Sequence, residues 1–295
     1  MTESNSLLLS TYENSKGFSV WYMFSMLKIN PHEISIRLLI LLFGLISFCG
    51  CKSSEKEPLP LTEKVVLKAS SMVEEKSPSI DSAKLNINFK AKGNYKSFKS
   101  EILEDKNYFK ISYANNREKT IDTASKYLYT KLINDIVPHW YNTPWDFNGH
   151  TNIPNEGEIA CGYFVSTTLK HLGFNVNRYK MAQQAGLNEA IALQPKEELK
   201  IYRNLDFDVL RRKVNEVYNN GVYFVGLDNH VGYILIHDKV LYFLHSSYYD
   251  NKVLIELAET SPCFKSNIYV FAEITSNKNL IKKWVLNEAL HIPQS

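Results

Sequence analysis

Asp228 to Ser247 reads DNHVGYILIHDKVLYFLHSS. Two apolar runs flank the polar pair His237–Asp238, the pattern of a β-hairpin closed by a tight turn. With a two-residue turn Ile236 pairs with Lys239, and stepping outward places His230 directly opposite His245. Directly opposed residues project from one face with Cβ atoms about 4.5–5.5 Å apart, so each imidazole can hydrogen-bond the other and fix its tautomer. A slip of one residue would send the rings to opposite faces.

Other strand-like runs lie on either side: GVYFVGL before the hairpin, VLIELAE and NIYVFAEI after it. Helical patterns precede them. Ile121, Ser125, Leu128, Leu132 and Ile136 recur at helical spacing until Pro138, which is expected to stop that helix. In IACGYFVSTTLKHLGF, residues 159–174, Cys161, Phe164, Val165, Leu169 and Leu172 share one stripe, and Gly173 stands where a left-handed cap belongs. AGLNEAIAL and LDFDVLRRKVNEVYNN also read as helices, and NLIKKWVLNEAL as a closing amphipathic one. Helices first and consecutive strands afterwards give an α+β fold with an antiparallel sheet.

Cys161 at a helix start has one condition for a reactive thiolate, the unpaired amides and macrodipole of the helix N-terminus. A histidine base with its own orienting partner supplies the second. The readings that compete with a nucleophile are a packed core thiol and a disulfide to Cys263.

The ordered set resembles the papain-like NlpC family of cell-wall peptidases and amidases. TPWDFNG, ACGYFV, HVGYIL and LHSS, between about Thr143 and Ser247, stand where that family has its loop, cysteine, histidine and third-residue motifs. The resemblance implies a papain-like fold whose nucleophile helix packs on the sheet. Cys161 would be the nucleophile, His230 the general base and His245 the orienting residue, and no cofactor is implied. The substrate implied is an amide in peptidoglycan peptides. Trp145, Phe147 and His150, in the loop before the cysteine, are candidates for substrate contact. Ala160 and Gly162 depart from the family's acidic and hydroxyl neighbours, and Trp145 from its frequent tyrosine. A non-catalytic binding module and an acyltransferase remain open on the same fold.

The N-terminal part has its own signals. Leu38 to Phe48 is an apolar run of secretory length, preceded by Lys28 and Arg37 and followed by Gly50 and Cys51. This resembles a lipoprotein signal with Cys51 as the lipidated residue; a plain signal peptide or an uncleaved anchor are the alternatives, and Met26 competes with Met1 as the start. The expected organisation is an extension and signal over 1–50, a linker over 51–62 and an accessory segment over 63–117. A papain-like domain over 118–275 and a C-terminal helix over 276–295 follow. Leu85, Ile87 and Phe89, and again Phe109, Ile111 and Tyr113, alternate as in a short β-hairpin. The chain would then be a membrane-anchored protein of the cell envelope, acting as a monomer. A net charge of +3 over 295 residues, without a basic stripe, argues against nucleic acid. The histidines and carboxylates lack zinc-peptidase spacing, so no metal site is expected.

Overall fold

The computed structural model describes residues 80–81, 85 and 87–293. The expected signal, Cys51 and the linker lie outside them. No helix among the described residues is long and apolar enough to cross a membrane.

The fold is α+β. Helices α1 (Tyr95–Asn115), α2 (Arg117–Thr130) and α3 (Val137–Trp140) come first, with a π-helical turn over Lys131–Ile136 between the last two. Then follow α4 (Cys161–His171), α5 (Arg178–Ala182), α6 (Gly186–Leu193), β1 (Lys200–Arg203) and α7 (Phe207–Val217). Strands β2 (Gly221–Gly226), β3 (Val231–His237), β4 (Val240–Ser247), β5 (Lys252–Leu257) and β6 (Ile268–Glu273) precede the closing helix α8 (Lys278–Leu286). The six strands form one sheet in the order β1-β6-β2-β3-β4-β5, antiparallel throughout.

Both faces of the sheet are covered, which is why β2 to β4 read as nearly unbroken apolar runs rather than as alternating ones. Val222, Phe224, Tyr233 and Leu244 join the helical core, whereas Val225, Ile234, Phe243 and Phe271 pack with Leu210 and Val214 of α7. Helix α4 is pinned to the first face by polar contacts as well as apolar ones. The Tyr233 hydroxyl donates to the Val165 carbonyl at 3.1 Å and lies 2.7 Å from Thr168 Oγ1, both buried. Gly173 takes the left-handed position after α4, with φ of 90°.

Three expectations are corrected. Residues 95–115 are helical, not part of a hairpin, and residues 87–89 are irregular chain. Asn94 caps α1 by accepting from the Ser97 amide. The buried stripe of α1 is Ile102, Lys106 and Phe109, while Ile111 is exposed. A lysine in that stripe hid its helical period: Lys106 Nζ donates to the Gly173 carbonyl at 2.5 Å and to Asn287 Oδ1 at 2.8 Å. Pro138 does not stop its helix. The π turn resets the ladder, so Pro138 falls in the first turn of α3, where a missing N–H is tolerated.

The third correction concerns the hairpin register. His237 stays in β3 and pairs with Val240, and the turn is Asp238–Lys239 with φ of 49° and 66°. Positive φ at both central residues is the type I′ geometry that matches strand twist. Two side chains outside the turn hold it: Asn220 Oδ1 accepts from the Asp238 amide, and Asn215 Nδ2 donates to the Lys239 carbonyl. The pairing has therefore slipped by two residues from the expected one. An even slip preserves faces, so His245 now stands near Gly232 rather than opposite His230, on the same side of the sheet. A Cβ at Gly232 would lie 2.6 Å from the Phe243 ring and 2.9 Å from His245 Cβ. Gly232→Ala should destabilise the protein by roughly 1–3 kcal/mol through overpacking, measured as a lower midpoint in urea. An unchanged midpoint would show that the hairpin can relax around a methyl group.

Candidate active site

His230 precedes β3 and His245 lies in β4; both are buried, at 3% and 0% exposure. His230 Nε2 is 2.8 Å from His245 Nδ1, with the ring planes nearly perpendicular at 89°. Phe243 stacks on His245 at 4.0 Å between centroids. The chain of contacts continues: His245 Nε2 lies 3.0 Å from Glu256 Oε1 of β5, and the Ser261 hydroxyl donates to the same oxygen at 2.5 Å. Among the described residues His230 Nδ1 has no hydrogen-bond partner.

Cys161 opens α4 and is half-buried. The helix start is tied to the sheet by Ser246, whose hydroxyl donates to the Ile159 carbonyl at 2.7 Å. Ala160 provides no side-chain cap, so the first amides of α4 are not consumed by a capping group. Gly162 is demanded by packing, since a Cβ there would lie 2.6 Å from the Ala182 carbonyl oxygen of α5.

Cys161 and His230 line one cleft of about 800 Å³, together with Trp145, Phe147, Gln183 and Tyr248. Trp145 and Phe147 line this cleft, with Phe147 79% exposed. His150 does not. It lies on a neighbouring depression with Arg178 and Tyr179, its Nδ1 2.8 Å from the Asn148 carbonyl. A smaller cavity of about 180 Å³ also borders Cys161 and His230, and its wall includes Gln184 and Glu189. Among the described residues the buried oxygens Gln184 Oε1 and Glu189 Oε2 have no hydrogen-bond partner.

Cys161 and Cys263 are both free, so the disulfide reading of Cys161 is not what the structure has. Cys263 instead belongs to a buried cluster with His230 and His245, whose ligand-type atoms lie within 4.8 Å of one another. The Ser247 hydroxyl is 3.5 Å from its sulfur. This buried His-His-Cys cluster on an antiparallel sheet is consistent with a catalytic site, and its donor set is also one that holds zinc-like ions. The histidine–histidine hydrogen bond occupies the lone pair a metal would need. The sequence reading missed Cys263 and Glu256 because neither carries a local signal: one lies in a short helical turn, the other on the last hairpin partner.

Burial dominates the electrostatics. It pushes the Cys161 thiol up to about 11, assisted by the Glu189 carboxyl and opposed by nearby amides of Val231, Gly162 and Cys161 itself. It holds His245 down to about 3 and His230 well below the usual imidazole range, the latter also through His245. Glu189, fully enclosed, is held well above the carboxylate range. At neutral pH the pair is thiol and neutral imidazole, not thiolate and imidazolium. Alkylation of Cys161 by iodoacetamide should therefore climb steadily with pH toward about 11. A plateau between pH 6 and 8, read by peptide mass mapping, would contradict this. No protein-family model, curated protein or solved structure matches the chain.

Proposed function

We propose that the chain is a cysteine-nucleophile hydrolase of amide bonds, with Cys161 as nucleophile, His230 as general base and His245 as its orienting partner. The observation that carries the reading is the cleft shared by Cys161 and His230, behind which His245 is hydrogen-bonded to His230 Nε2. In the proposed reaction His230 Nδ1 takes the thiol proton as the sulfur attacks the substrate carbonyl carbon. The oxyanion meets the uncapped amides at the start of α4. Collapse of the tetrahedral intermediate breaks the C–N bond, and His230 returns the proton to the departing amine. Water, deprotonated by the same imidazole, then cleaves the thioester, releasing the carboxylic acid and restoring the thiol. Because the resting pair is neutral, proton transfer and sulfur attack occur together.

The substrate class rests on the motif resemblance: amides in the peptides of peptidoglycan. The unpartnered amide oxygen Gln184 Oε1 beside Cys161 supports a substrate that brings an N–H donor. The N-terminal pattern extends the proposal to an envelope protein anchored through lipid at Cys51. An acyltransferase would differ only in admitting an amine in place of water.

Cys263 is the one rival sulfur favoured by an observation, its place beside both imidazoles. Its 1% exposure favours a packing role, against the cleft-lining position of Cys161. Cys161→Ala should abolish hydrolysis of purified cell-wall peptides with little change in melting temperature, while Cys263→Ala keeps turnover within about threefold. The reverse pattern would move the nucleophile to Cys263. Equal activity in both variants and the wild type would end the cysteine mechanism.

A further inference from the structure

Glu256 lies two positions past Leu254, the partner of His245 across the β4–β5 pairing, and its side chain is 20% exposed. Burial raises the Glu256 carboxyl from its ordinary value and the Ser261 hydroxyl opposes this; in its ionised form the carboxylate only accepts hydrogen bonds. The Ser261 hydroxyl donates to Oε1 and itself accepts from the Phe264 amide, so the direction of that link is fixed. The His245 nitrogen facing Oε1 must then carry a proton, at Nε2. A neutral imidazole holds one N–H, which leaves His245 Nδ1 as an acceptor. His230 therefore donates from Nε2, and its Nδ1 is left as a bare lone pair on a residue that lines the cleft with Cys161.

We propose that Glu256 is a positioning residue: acting through His245, it fixes the proton order of both imidazoles so that His230 presents a base, rather than an N–H, to Cys161. The inference rests on the assignment of His230 as the base. Without the carboxylate the opposite order is equally available. His245 Nδ1–H would donate to His230 Nε2, and His230 would carry its proton on Nδ1, where it cannot accept one from sulfur. Among the described residues the carboxylate is also the only acidic group hydrogen-bonded to the imidazole pair, and so balances the charge when His230 takes the thiol proton. Ser261 holds it in place from the turn before Pro262–Phe264.

The test is long-range ¹H–¹⁵N spectroscopy of the histidine rings in the full-length protein, which requires no turnover. In the wild type both His230 and His245 are expected with protonated Nε2 and bare Nδ1. Glu256→Ala should lose that order at His230, and acetate added to the buffer, filling the vacated carboxylate position, should restore it. In parallel, peptide hydrolysis should fall on the order of 10²-fold in Glu256→Ala and recover partly with acetate. If Glu256→Ala does not fold, Glu256→Met, which keeps an unbranched side chain of similar length without the oxygen acceptor, is expected to show the same loss of order. A wild-type His230 protonated at Nδ1, or a proton order unchanged in the folded variant, overturns the proposal. The expected proton order in a wild type without Cys161-dependent hydrolysis would support the positioning role and overturn the hydrolase reading alone.

Discussion

The structure depends on the register of one hairpin. Asp238 and Lys239 both adopt positive φ, and the resulting turn sets which residues of β3 and β4 share a face. His230, Gly232, Phe243 and His245 fall on the same side. The small residue is the one that lets the ring-bearing ones close up, with Phe243 stacked on His245 and His230 against its edge. An odd slip would separate the imidazoles by the thickness of the sheet. The turn is made from an aspartate, which tolerates positive φ, and a lysine, which does so rarely, and it is held by Asn215 of α7 and by Asn220, just before β2.

The second constraint is the seat of α4. Tyr233 reaches from β3 to Thr168 and Val165, and Ser246, next to His245, reaches to Ile159 just before Cys161 and α4. The sheet thus positions the helix start through the same two strands that carry the imidazoles. Gly162 then admits α5 to backbone contact, which closes the far wall of the cleft. Burial follows from this packing, and burial is what keeps both the sulfur and the imidazoles uncharged at rest.

Much of this was legible in the sequence because it is local. The α4 stripe and Gly173 cap, the strand runs and the shared face of His230 and His245 each follow from periodicity or from a short turn. The exact turn did not, since His237–Asp238 and Asp238–Lys239 differ only in which neighbours support them, and those neighbours are Asn215 and Asn220. Helix α1 was hidden by a lysine in its buried stripe, whose partners are Gly173 and Asn287 far along the chain. Strand β1, only four residues with no fully buried side chain, left no run to find. Glu256 and Cys263 joined the site through tertiary contacts alone. His150 is only a candidate for the cleft from its position in the loop, and that loop turns back at Ile159 and faces it toward Arg178.

The central claim is that the sulfur of Cys161, and no other, forms the covalent intermediate with help from His230. Peptide mapping of the protein quenched in acid during turnover of an activated peptide ester measures this directly. The account predicts a substrate-derived acyl group on Cys161 in the wild type, and none in His230→Ala treated alike. An acyl group on Cys263, or acylation of Cys161 undiminished in His230→Ala, would contradict it.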